Sequence, residues 1–162
     1  MTAGASMLAS VIAHNDVVIN AAGVSSPHSP ELHDVDRDGA IAAIRAAEAV
    51  GVRRFIQISA MPADRPDRAP AGFRTYLRAQ IASDTALASS RLVWTVVRPG
   101  ALVDRRGKGR VMVGTDLRSG SIPRDDLAAL VVGYLAQSAT SNRGFDVVSG
   151  RQPIDVALAS VA

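Results

Sequence analysis

A chain of 162 residues has the length of one domain, since domains run to about 100–200 residues. Its 48% apolar and 20% charged residues exclude a wholly disordered chain, and 13 glycines with 8 prolines fall short of a collagen-like pattern. With no cysteine and three scattered histidines there is neither a disulfide framework nor metal-ligand spacing, and the net charge of +3, from 18 basic residues that are all arginine except Lys108 against 15 acids, is no basic arm.

Apolar runs such as residues 127–136 are shorter than the roughly 18–20 residues that cross a bilayer, so no membrane span is expected. Residues 1–13 are apolar and alanine-rich but lack the basic flank and cleavage pattern of a signal peptide. They read as part of a folded helix in a cytoplasmic protein.

Short apolar runs alternate with longer alanine-rich segments, the rhythm of parallel strands joined by crossover helices. A helix is predicted over 6–15 and a strand over 16–19, ending in Asn20, Ala21, Ala22 and Gly23. Residues 24–35, with two prolines and two histidines, form a loop by composition. A helix follows over 36–50, with Ile41, Ile44, Ala47 and Val50 on one side and Gly51 as its stop.

The strand at 54–59 ends in Ser59 and leads to a polar loop over 61–72, then a helix over 73–89. The most apolar strand, 92–97, closes on Arg98, Pro99 and Gly100. A basic loop over 104–110 precedes a short strand at 111–114, a helix begins near Pro123 and runs to about 137, and a strand at 145–148 and a helix over 153–162 complete the chain. No internal repeat and no domain linker is visible.

Open parallel sheets bind ligands at the C-terminal ends of their strands. Four features fall there: residues 20–23, Ser59, the helix start carrying Tyr76, and residues 98–100. In chain order the segments DVVINAAG (16–23), GVRRFIQISAM (51–61), YLRAQ (76–80), WTVVRPG (94–100), IPRDDLA (122–128) and FDVVSG (145–150) cover nearly the whole sequence. Together they resemble the short-chain dehydrogenase/reductase superfamily, in particular its atypical NAD(P)H-binding branch, similar to NmrA-like proteins and flavin-reductase-like epimerase homologues.

The resemblance implies one NAD(P)-binding Rossmann-like α/β domain over 1–162, a doubly wound parallel sheet between helix layers, and NAD(P)H as cofactor. It implies that Asn20, Ala21, Ala22 and Gly23 lie against the adenosine side, that Arg98, Pro99 and Gly100 border the nicotinamide, and that Ser59 hydrogen-bonds a substrate carbonyl. Tyr76 takes the place of the family's general acid. The lysine that follows four residues later in family enzymes, on the same helix face, is here Gln80, whose neutral amide can donate to a ribose hydroxyl but cannot lower a phenol pKa by charge. Arg78 projects from nearly the opposite side and is no substitute.

The strand at 16–19 matches the family's fourth strand, so the first three strands and the glycine-rich turn that holds the pyrophosphate have no counterpart in this sequence. The expectation is the later part of a dinucleotide fold, without full oxidoreductase competence by itself. That leaves the apolar strand edge at 17–19 open, for which three explanations compete: a start assigned too late in the gene, a degenerate remnant, or a sheet completed by a second copy of the chain, with the first two together favoured over the third. In a complete form the substrate would be a small carbonyl or quinone-like acceptor; the alternative is a non-catalytic dinucleotide sensor or protein-interaction module. Arg105, Arg106, Lys108 and Arg110 read as a glycine-spaced solvated loop, and with aromatics at 4% there is no stacking platform for nucleic acid.

Overall fold

The computed structural model describes residues 3–137 and 140–160. Helix α1 (Ala3–Ile12) ends earlier than the sequence suggests. His14 turns into the left-handed region at φ 67°, and Asn15 donates from its side chain to the Ile12 carbonyl at 2.9 Å, closing the helix end before β1 (Val17–Asn20).

The segment predicted as a loop ends in a wide π-type helical stretch, His33–Gly39, that runs directly into α2 (Ala40–Ala49). Helical structure therefore begins before residue 36 and carries Asp36 into the interior, where it is 2% exposed. At the other end Gly51 stops the helix as expected. It sits at φ 77°, its amide donates to the Glu48 carbonyl and the Val52 amide donates to the Ala47 carbonyl, the paired bonds that satisfy a helix end through a left-handed residue.

Strand β2 (Arg54–Ile58) is followed by two short 3-10 turns within the predicted polar loop and by α3 (Arg74–Ala88). Then come β3 (Val93–Pro99), β4 (Ala101–Val103), β5 (Arg110–Gly114), β6 (Ser121–Pro123), α4 (Arg124–Leu135), β7 (Arg143–Ser149), β8 (Gln152–Pro153) and α5 (Ile154–Ser160). Residues 161 and 162 of the predicted last helix lie outside the described residues. Strands β4, β6 and β8 carried no usable sequence signal, because two or three residues cannot show a period-two pattern.

The main sheet has the order β1-β2-β3-β7-β5-β8. The β1–β2 and β3–β7 pairs are parallel, whereas β5 runs antiparallel to both β7 and β8; β4 and β6 form a separate parallel pair. The architecture is α/β and Rossmann-like, a mostly parallel sheet carrying helices, with an antiparallel margin. No helix among the described residues is long and apolar enough to cross a membrane.

Contacts divide the chain into two compact units, Met1–Ile58 with Pro62–Trp94, and Ser59–Met61 with Thr95–Ala162. In the first, α1 packs on α2, and Ile44, Ala47, Phe55, Ile56, Leu77 and Leu87 are buried. In the second, Val97, Val111, Ile122, Leu130, Tyr134 and Phe145 form the core, with the Tyr134 and Phe145 rings stacked at 5.7 Å between centroids. Burial pushes the Tyr134 phenol pKa up, so that ring behaves as a neutral core residue. Thr95 is fully buried and satisfies its hydroxyl by donating to the Thr140 carbonyl at 2.8 Å.

Candidate functional site

The residues singled out in the sequence fall into one group in each unit. In the first unit β1 delivers Asn20, whose side-chain oxygen accepts from the Ala22 amide at 3.3 Å while its amide donates to the Gln57 side chain at 3.0 Å. The first bond is an Asx turn, the local geometry that lets an asparagine bend the chain after a strand. It presents Ala21, Ala22 and Gly23 as an exposed main-chain segment.

Beneath that segment lies a residue the sequence reading did not single out. The Asp36 carboxylate accepts from the Val24 amide at 3.0 Å and from the Gln80 side-chain amide at 2.7 Å. A Cβ on Gly23 would stand 3.2 Å from the same carboxylate, so the glycine permits the close approach. The only sequence hint of Asp36 was its place among acids near a helix start, which by itself suggests a solvated charge.

Tyr76 and Gln80 share a face of α3, as their spacing requires. Gln80 is 3% exposed, with one N–H committed to Asp36 and its carbonyl oxygen buried without a hydrogen-bond partner. Tyr76 packs on Phe73 with ring centroids 4.9 Å apart. Its pKa is pushed up to about 12, first by burial and then by the negative charge of Asp36, with a hydrogen bond from Gln80 opposing the rise. The phenol is therefore neutral throughout the physiological range. An unfolded tyrosine ionises near 10 and the folded one near 12, so Tyr76 contributes stability that is lost as pH rises through that window.

In the second unit the Ser59 amide donates to the Val97 carbonyl at 2.8 Å and the Met61 amide to the Pro99 carbonyl at 3.0 Å. Ser59 is 5% exposed. Arg98 pairs with the fully buried Asp146 at 3.9 Å, and its guanidinium occupies the space a Cβ on Gly144 would need. Asp146 also accepts from the Leu117 amide at 3.1 Å. Pro99 is buried, and Gly100 lies against the main chain of Gly120, where a Cβ would overlap the Gly120 carbonyl. Arg98 and Gly100 thus each have a structural task in the second unit. Among the described residues no group of three or more His, Asp or Glu side chains is placed to hold a metal ion.

Residues 2–138 match the profile of a family described as NAD(P)H-binding. The chain belongs to that NAD(P)H-binding family. The chain is similar to an uncharacterized sugar epimerase, YhfK, of Bacillus subtilis, 40% identical over 124 residues, which make up 76% of this chain and 58% of YhfK. The chain thus spans less than two thirds of that curated relative's length. A candidate NAD-dependent epimerase/dehydratase from Bacillus halodurans superposes with a TM-score of 0.88 at 34% identity, over 94% of this chain and 72% of that one. The oxidoreductase ylbE from Lactococcus lactis superposes with a TM-score of 0.89 at 27% identity, over 96% and 72%. These likenesses, to proteins described as a sugar epimerase, an epimerase/dehydratase and an oxidoreductase, bear out the Rossmann-like α/β fold of this NAD(P)H-binding chain.

Proposed function

We propose that residues 1–162 act as one NAD(P)H-binding domain in which Tyr76 is a neutral hydrogen-bonding group, so that this chain binds dinucleotide but does not by itself catalyse oxidoreduction. The observation that carries the reading is the 2.7 Å bond between Gln80 and Asp36. Where family enzymes set an ammonium beside the phenol, this chain sets an amide already engaged by a carboxylate. The phenol faces negative rather than positive charge, which opposes phenolate formation.

The residues present suit the cofactor in two respects. The buried, unpartnered Gln80 oxygen is an acceptor that a ribose hydroxyl would satisfy, removing a penalty of about 1–3 kcal/mol. The exposed 21–23 segment offers main chain at the end of β1 for the adenosine side. In the second unit the Gly100 amide is taken by the Val147 carbonyl and Pro99 has no N–H, so Arg98, Pro99 and Gly100 would meet the carboxamide through carbonyl oxygens, and Ser59 would offer a hydroxyl to a substrate carbonyl. The bound dinucleotide would supply the hydride; the chain's own residues bind and orient.

Titration with NADPH, followed by cofactor fluorescence, is expected to give saturable binding below millimolar concentration, weakened about tenfold by Gln80→Leu, which removes both amide functions. Tyr76→Phe should leave that binding within about threefold and any slow NADPH oxidation across a carbonyl panel unchanged. Turnover that drops a hundredfold or more in Tyr76→Phe would establish catalysis instead, the reading toward which the names of the relatives lean, with a small carbonyl or quinone-like acceptor as substrate. Absence of saturable binding at millimolar cofactor would remove the binding role.

Strand β1 stands first in the sheet order and its Ile19 is 43% exposed. Pairing of that edge with a second copy is part of the same reading. Sedimentation equilibrium should show a dimer that Ile19→Lys shifts to monomer; a wild-type monomer at high concentration would rule the pairing out.

A further inference from the structure

The basic loop does not simply extend into solvent. The Gly107 amide donates to Asp125 at 3.1 Å, and the Lys108 and Gly109 amides donate to Asp126 at 3.0 and 2.7 Å. Both carboxylates belong to the first turn of α4. Gly109 takes φ 65°, a conformation glycine adopts without strain, and its carbonyl accepts from the Ile154 amide at 3.1 Å. The loop is thereby tied to α4 on one side and to the start of α5 on the other.

This pinned backbone and the turn after β7 border a half-open cavity of about 360 Å³ within the second unit. Arg105, Lys108, Arg110 and Arg151 line it, against the single carboxylate of Asp126. Asp126 is 3% exposed and its two oxygens are taken by the loop amides. Arg110 donates to the Arg151 carbonyl at 2.6 Å, which draws the two arginines to the same wall, and Ser149 adds a hydroxyl. Among the described residues Arg105, Lys108 and Arg151 make no ion pair. Four cations gathered around one carboxylate, whose oxygens are already taken by backbone amides, repel one another, a cost that an anion in the cavity would relieve.

We infer that this cavity is a binding site for a compact diphosphate group. Arginine presents a planar fork that matches phosphate oxygens in pairs, and the lysine adds a point charge at the loop tip. The volume lies at the small end of the roughly 300–1,000 Å³ typical of small-molecule sites. No aromatic side chain lines the cavity, so the stacking that holds nucleic-acid bases is absent from it. The inference stands on residues of the second unit alone and is independent of the Asp36–Gln80 reading.

Inorganic pyrophosphate titrated calorimetrically into the full chain tests it. Saturable one-to-one binding is expected, with affinity falling about tenfold or more as salt rises from low to physiological concentration. The exposed pair Arg105→Ala and Lys108→Ala should weaken binding by about tenfold or more at an unchanged melting temperature, and Arg151→Ala provides an independent check. Competition by NADPH would show that the diphosphate recognised is that of a dinucleotide; pyrophosphate binding without such competition would show a separate ligand of the same chemistry. Weakened NADPH binding in the Gln80→Leu protein with pyrophosphate binding retained would separate this site from the proposed cofactor contacts. No saturable binding at millimolar pyrophosphate, full affinity in the substituted proteins, or tighter and length-dependent binding of a single-stranded oligonucleotide would overturn the inference.

Discussion

Asp36→Ala is expected to destabilise the protein by about 2–3 kcal/mol, read as a lower urea midpoint with an unchanged slope. The substitution leaves the Val24 amide and one N–H of the Gln80 side chain, both bonded to that carboxylate, without an acceptor in a region where Asp36 itself is 2% exposed. Each orphaned donor costs about 1–3 kcal/mol, offset in part because the carboxylate no longer has to be dehydrated. Asp36→Asn keeps the shape and one acceptor and should cost about half as much. A midpoint equal to wild type in both variants would mean that the carboxylate's dehydration cancels its bonds.

The same residue has a pH signature. Burial raises the Asp36 pKa above its ordinary value of 3.8, while the bonds from Val24 and Gln80 pull the other way and reduce the rise. Because the folded state holds its proton to higher pH than the unfolded one, this contribution to stability is full below 3.8 and declines as pH rises through the folded value. Asp36→Asn should remove that decline, so the difference between the two urea midpoints should change with pH over this window and level off above it.

Gly100→Ala is expected to cost about 2–4 kcal/mol, a loss of roughly 5–15 °C in melting temperature for a chain of this size. The added Cβ would overlap the Gly120 carbonyl oxygen, stand 2.8 Å from its carbon, and lie 3.0 Å from a Val148 methyl. Backbone cannot swing aside as a side-chain tip can. The Ala101 amide already donates to that Gly120 carbonyl at 2.9 Å, immediately before Ala101 and Ser121 open the β4–β6 pair. Any shift that relieves the overlap therefore disturbs the second sheet. A melting temperature within a degree or two of wild type would show that the turn yields more readily than its bonds imply, and would return Gly100 to a purely ligand-facing role.

These two residues show where sequence reading succeeds and where it stops. Gly100 was legible as a strand-end glycine, but the residue it must clear is Gly120, on another segment. Asp36 was legible only as one of several acids, because its partner Gln80 is 44 positions away. Gln80 itself was legible as a neutral residue in the lysine position, and the structure adds what an isolated helix face cannot show, namely which group its amide engages.

The sequence by itself determined the α/β class, the places of the principal strands and helices, the stop at Gly51 and the shared face of Tyr76 and Gln80, since those follow from periodicity, turn residues and spacing within a few positions. Only the tertiary structure decided the buried Asp36–Gln80 bond, the antiparallel margin formed by β5 and β8, and the cavity in which residues of the basic loop meet Arg151. Each of these depends on the register in which distant segments pack, and register is set by the whole core rather than by any local run of residues.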